Sequence, residues 1–223
     1  MIKLEQVNDG YRYNSISIAL YKYIISHINF YKKNLNALDL GCGCGVIGIL
    51  IKQYFDNLNK NNLNIDFLDI LELNCQYCQK NLNQNNINAR VYNANIADFN
   101  PGYKYDLIFS NPPYYKDSKT SSNIHKNISK FISHMPLNIL IARSFELLEH
   151  RGEMIFCYDI VFLNEILNSL KFYKFNIHSI SFIYPKINSK AILAIFSATK
   201  GIKRPFEISS PIYLDRLQID FKG

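Results

Sequence analysis

Cysteine is sparse in this chain and odd in number, five among 223 residues. Residues Met1 to Tyr13 contain no basic stretch followed by an apolar block, so neither a signal peptide nor a secreted disulfide framework is expected. No uninterrupted apolar run approaches the roughly 20 residues of a membrane span, which speaks against a membrane partner. Internal repeats are also lacking. Acids are outnumbered by bases, 18 to 25, for a net charge of +7. That favours an anionic partner such as nucleic acid over a neutral metabolite. The chain is also rich in Asn, Ile, Tyr and Lys, a bias that inflates lysine by itself, so the charge is weak support. What is present in quantity is apolar residue, 48%, as expected of a globular protein, and with no signal peptide or membrane span evident a cytoplasmic location is expected. Cys42-x-Cys44 and Cys75-x-x-Cys78 could be imagined as a four-sulfur zinc set. The first pair lies in a glycine loop and the second one turn apart on a predicted helix. Small buried thiols are the better reading, and no metal is expected.

The length suits one domain, with residues 1–34 as a lead-in and helix of the same unit as residues 35–223. Apolar spacing predicts a helix over Ile16–Ile28. From Asn36 onward, short apolar strands alternate with amphipathic helices, the pattern of a mostly parallel sheet covered on both faces. The expected strands are Ala37–Leu40, Ile65–Asp69, Ala89–Tyr92, Tyr105–Ser110 and Met154–Tyr158. Two more, Phe175–Tyr184 and Ala191–Ala198, form a closing antiparallel pair. Helices are expected after Gly45 and over Leu71–Asn83, Leu137–Leu148 and Phe162–Leu170. Asp56–Asn64 and Tyr115–Lys130 read as loops.

Asp39-Leu40-Gly41-Cys42-Gly43-Cys44-Gly45 sits where a strand gives way to a helix, and its glycines let the backbone turn tightly and approach a ligand closely. Asp39, just before the loop, suits a ligand that carries an ammonium and would repel a pyrophosphate. Asp69 ends the second strand, where an acid can accept from both ribose hydroxyls or, alternatively, cap the following helix. With these features the chain resembles Rossmann-like (class I) S-adenosylmethionine methyltransferases over residues 36–198, and the resemblance implies a seven-stranded α/β sheet. It further implies that Gly41, Gly43 and Gly45 line the amino-acid end of S-adenosyl-L-methionine and that Asp69 holds the ribose. An aspartate usually receives the adenine amino group. The matching residue here is Asn95, whose amide oxygen can still accept.

Asn111-Pro112-Pro113-Tyr114 at the end of the fourth strand is the most specific motif. An adenine amino nitrogen is a poor nucleophile because its lone pair is delocalised into the ring. Acceptors at the Asn111 side chain and the Pro112 carbonyl would draw on its two hydrogens and help it pyramidalise. Prolines hold those acceptors in place, and Tyr114 offers a face for the target base. The same tetrapeptide occurs in enzymes that methylate release-factor glutamines and guanines of ribosomal RNA. Gly10-Tyr11-Arg12-Tyr13, the Tyr103–Tyr115 stretch, Leu147–Gly152 and Tyr184-Pro185 to Lys200-Gly201 make the chain similar to the bacterial family that methylates adenine 37 of valine tRNA. The implied acceptor is an adenine of tRNA, with Arg12, Tyr115 and Lys116 as substrate contacts. Ile16 replaces an acid usual in that family, and Ser133-His134-Met135 replaces an Arg-His-Glu element. Only about 35 residues precede the glycine loop, so the helical front domain of the glutamine-methylating class is not expected. Two basic stretches, Lys116–Lys130 and Lys186–Arg204, are expected to flank the mouth of the site. A fold retained for RNA binding without catalysis is the non-enzymatic alternative.

Overall fold

The computed structural model describes residues 3–6, 15–28, 34–58, 63–112 and 135–217. Five strands run parallel: β1 (Leu35–Leu40), β2 (Leu63–Asp69), β3 (Val91–Asn93), β4 (Tyr105–Ser110) and β5 (Leu148–Asp159). The sheet then reverses through β7 (Leu193–Lys200) and β6 (Phe175–Tyr184), both antiparallel contacts. Its order is β3-β2-β1-β4-β5-β7-β6. Two strands of two residues each, β8 (Glu207–Ile208) and β9 (Ile212–Tyr213), add to the far side of β6 in parallel. The seven expected strands are therefore present, and the sheet is widened to nine.

The helices are α1 (Ser15–His27), α2 (Val46–Asn57), α3 (Glu72–Gln84), α4 (Leu137–Leu147) and α5 (Leu163–Phe172). In α1, Ile16, Leu20, Tyr23 and Ile24 recur at helical spacing and are buried, so the lead-in packs onto the same core as the sheet. The Tyr23 hydroxyl anchors α1 across the antiparallel strands, within hydrogen-bond distance of Ser179 Oγ at 2.9 Å and Ser197 Oγ at 3.0 Å. β5 begins directly where α4 ends, six residues before the strand that apolar pattern alone indicates. Its polar start, Glu149-His150-Arg151, carries Arg151 at φ 70° and a register break opposite Tyr105 and Leu107. That irregularity hides the strand from a periodicity argument.

Strand order decides where a ligand can sit. The chain runs outward from β1 through β2 to β3, then returns to place β4 on the other side of β1. The carboxyl ends of β1 and β4, where strand order reverses, form the crevice in which open α/β sheets bind ligands. Leu40 and Ser110 are register partners there, and Ser110 Oγ donates to the Leu40 carbonyl at 2.7 Å. Gly41 and Asn111 are the next residues on each strand.

Candidate active site

The glycine loop needs its glycines for conformation. Gly41, Gly43 and Gly45 have φ of 71°, 56° and 83°, a region that side chains with a Cβ rarely enter. The loop is sewn to β2 by the amides of Gly41 and Cys42, which both donate to the Leu68 carbonyl at 2.8 and 3.0 Å. A Cβ on Gly45 would lie 2.7 Å from Cys78 Sγ, because α3 passes directly beneath the loop. Cys42, Cys75 and Cys78 are buried free thiols and Cys44 is half-buried. Burial pushes the Cys44 and Cys75 thiols up to about 12, so they pack as small apolar groups. Among the described residues no group of three or more His, Cys, Asp or Glu is arranged to hold a metal ion.

Both acids lie under this loop. Asp39 is 1% exposed, and its Oδ2 accepts from the Gly48 amide in the first turn of α2 at 2.9 Å. Burial raises its carboxyl to about 7, partly offset by that hydrogen bond and reinforced by neighbouring Asp69. Asp69 Oδ2 accepts from Gly43 N at 2.9 Å, while Oδ1 accepts from Leu71 N at 2.9 Å and Asn74 Nδ2 at 3.1 Å. Burial raises this carboxyl too, against the pull of those donors. The cap alternative is not what the structure shows: Leu71 is the N-cap residue of α3 and has no side-chain cap bond, whereas Asp69 staples the glycine loop to Leu71 and Asn74. A cationic ligand above the loop would relieve two buried carboxylates, which fits an ammonium and a sulfonium.

Gly48 completes the arrangement and was passed over in the sequence reading, although Gly43-x-Gly45-x-x-Gly48 is a spacing at which a helix packs closely on a strand. A Cβ there would fall 2.4 Å from the Phe67 ring. Asn95 stands exposed in the turn after β3, and its Oδ1 accepts from Ala97 N at 3.0 Å. Ile70, directly after Asp69, is 42% exposed and offers an apolar surface at the same strand tip.

On the other side of β1, Pro112 is buried and Asn111 half-buried. Asn111 Nδ2 faces Ser17 Oγ of α1 at 3.5 Å. Its Oδ1 is buried and has no hydrogen-bond partner among the described residues. A buried acceptor left unpaired costs about 1–3 kcal/mol, so it marks a position where a donor belongs. Tyr114, Tyr115, Lys116 and Arg12 lie outside the described residues, as do Lys119, Lys126, Lys130 and His134. Met135 is described: its Cε lies 3.3 Å from where a Gly41 Cβ would stand. Ile16, in place of the family's acid, is buried in the core.

One expectation is overturned. Lys186 and Lys190 follow β6 and lie at the edge that carries the glycine loop, but Lys200 ends antiparallel β7 and Lys203 and Arg204 follow it, so they come out at the opposite edge. There Lys200 Nζ donates to the carbonyls of Phe145 and Leu148, both at 2.7 Å, closing the end of α4. Arg204 is paired with Glu153 at 3.0 Å. These cations serve the fold.

Comparison with known proteins agrees with this geometry. The methyltransferase small domain family matches residues 22–157. The tRNA1(Val) (adenine(37)-N6)-methyltransferase of Aliivibrio salmonicida is 22% identical over 66% of this chain and 61% of its own length. Ribosomal RNA small subunit methyltransferase C of Haemophilus influenzae is 37% identical over 38% of this chain and 24% of its own. The chain thus spans less than two thirds of either relative. Among solved structures, a methyltransferase from Pyrococcus furiosus superposes with a TM-score of 0.63 at 20% identity, covering 90% of both chains. No described helix is long and apolar enough to cross a membrane. The chain belongs to the methyltransferase small domain family and has the α/β fold of a solved methyltransferase.

Proposed function

We propose that the chain methylates the exocyclic amino nitrogen of an adenine in RNA, with a tRNA adenine beside the anticodon as the acceptor. The observation that carries this reading is Asn111 Oδ1, a buried acceptor without a partner among the described residues, one strand away from the glycine loop. Gly41, Gly43, Gly45, Asp39 and Asp69 hold the cofactor, and Asn95 lies near its adenine. S-adenosylmethionine supplies a methyl group already activated on a sulfonium, so no metal is needed. The chain's part is to position the acceptor nitrogen in line and to keep water out. Asn111 Oδ1 and the Pro112 carbonyl take the two amino hydrogens, which turns the nitrogen lone pair toward the methyl group. Contact with Ser17, at 3.5 Å, helps to hold the Asn111 side chain at the strand end before reaction. In this reading Tyr114 stacks the flipped base, and Arg12, Tyr115 and Lys116 contact RNA around it.

The relative named for ribosomal RNA methylation supports a second reading, transfer to a guanine amino group of ribosomal RNA. Labelled S-adenosylmethionine offered in parallel to total tRNA, ribosomal RNA and a release factor separates these readings. The expected product is N6-methyladenosine in tRNA. Label confined to ribosomal RNA or to a release-factor glutamine would replace the acceptor while leaving the cofactor site as described.

A further inference from the structure

The edge of the sheet that bears the glycine loop and Asn111 continues beyond β5. β7 lies antiparallel to β5 with Leu193 opposite Asp159, and β6 antiparallel to β7 with Ile183 opposite Leu193. The turn from Tyr184 to Ile192 therefore emerges on the reaction side, three strands from β4, or about 14 Å at ordinary strand spacing. β9 brings the C-terminal segment to the same place, with Ile212 beside Ile183 and Tyr213 beside Tyr184. Asp215 N donates to the Pro185 carbonyl at 3.2 Å, which ties the short turn Leu214–Arg216 to the β6–β7 turn. That turn also packs on α1, the helix whose Ser17 touches Asn111.

This corner has an unusual surface. The rings of Tyr184 and Tyr213 lie 5.5 Å apart, tilted by 35°, and the Arg216 guanidinium is 5.8 Å from the Tyr213 centroid. Lys186, Lys190 and Arg216 are exposed, and none is ion-paired with a described residue. Asp215 is exposed beside them, and Asp159 at the end of β5 is occupied in accepting from Val161 N. At the opposite edge, by contrast, Lys200 and Arg204 are consumed by carbonyls and Glu153.

We propose that Tyr184, Lys186, Lys190, Tyr213 and Arg216 form a platform for the single-stranded RNA that flanks the target nucleotide, with the cations on phosphates and the tyrosines against bases. The proposal rests on the RNA reading above. Three cations to two acids leave the corner net positive, which favours a polyanion, and an arginine already laid beside a tyrosine ring is a surface on which a base stacks.

The test measures binding of tRNA, by fluorescence anisotropy over a range of salt, to the wild-type chain and to the triple variant Lys186→Ala, Lys190→Ala, Arg216→Ala. Removing three phosphate contacts should weaken binding at least tenfold and lower the slope of log K against log salt by about 2. Tyr213→Ala should weaken binding about tenfold, and Tyr213→Phe should not. Lys203→Ala, on the opposite edge, should bind as wild type, and all variants should keep affinity for S-adenosylhomocysteine. If the triple variant binds tRNA like wild type, the platform is wrong even where wild type methylates tRNA. If wild type binds RNA through these residues yet leaves tRNA unmodified, the platform stands and the tRNA acceptor falls. Wild type that binds no RNA, or a release factor whose binding is lost in the triple variant, overturns RNA as the occupant.

Discussion

Replacing Gly48 by alanine should destabilise the chain, although the same change in an ordinary helix interior stabilises by about 1 kcal/mol. The added Cβ would sit 2.4 Å from Phe67 Cε1, 2.7 Å from Cζ and 3.0 Å from Asp39 Oδ2. Carbon atoms rest at roughly 3.5–4.0 Å, so the start of α2 must move outward by about 1 Å or the ring must turn. Phe67 is fully buried on β2, between β1 and β3, so turning the ring disturbs its packing. Overpacking of this kind costs about 1–3 kcal/mol beyond the propensity gain. Displacing α2 also lengthens the Gly48–Asp39 hydrogen bond and moves the glycine loop, so affinity for S-adenosylhomocysteine should fall with stability. Urea unfolding with an unchanged m value reads the first effect, and calorimetric titration the second. In a Phe67→Leu background the clash is relieved, and the cost of Gly48→Ala should shrink or change sign. A Gly48→Ala chain as stable as wild type, or an equal cost in both backgrounds, would refute the packing argument.

Other outcomes follow from the site. Asn111→Ala should fold and bind cofactor with near wild-type affinity yet lose at least a hundredfold in kcat, about 3 kcal/mol, as for other transition-state acceptors; single-turnover kinetics reads this. Asp69→Ala should weaken cofactor binding by about 1.5–3 kcal/mol, because it frees the Gly43 amide as well as losing the proposed ribose acceptor. Asp69→Asn, which can still accept from Gly43, should lose less. Asp39 carries a carboxyl raised from 3.8 to about 7. The folded chain then binds more protons than the unfolded chain between those values, so stability should fall as pH rises through that window. Asp39→Asn should flatten that slope in urea unfolding followed from pH 4 to 8.

How much of this was legible depended on whether the physics leaves a mark on residue type. Left-handed turns at Gly41, Gly43 and Gly45 tolerate little besides glycine, and a preorganised acceptor at a strand end leaves Asn111-Pro112, so the two halves of the site stood out. The parallel strands were legible because burial on both faces makes them apolar runs. Asp69 was harder, since a carboxylate at a strand tip looks the same in sequence whether it awaits a ribose, caps a helix or staples a loop. Charge was misleading. Lys186–Arg204 is one basic stretch in sequence, but a strand lies inside it, and crossing that strand moves Lys200 and Arg204 to the other edge of the sheet. Tyr213 and Arg216 were invisible because two-residue strands carry no period; register with β6, not composition, brings them beside Tyr184.

Digestion and mass spectrometry of tRNA from cells lacking the chain tests the central claim most directly. The account predicts that N6-methyladenosine next to the anticodon of one tRNA disappears, returns with the wild-type chain, and does not return with Asn111→Ala. Unchanged N6-methyladenosine in tRNA, with a methyl group lost instead from ribosomal RNA or a release-factor glutamine, would contradict it.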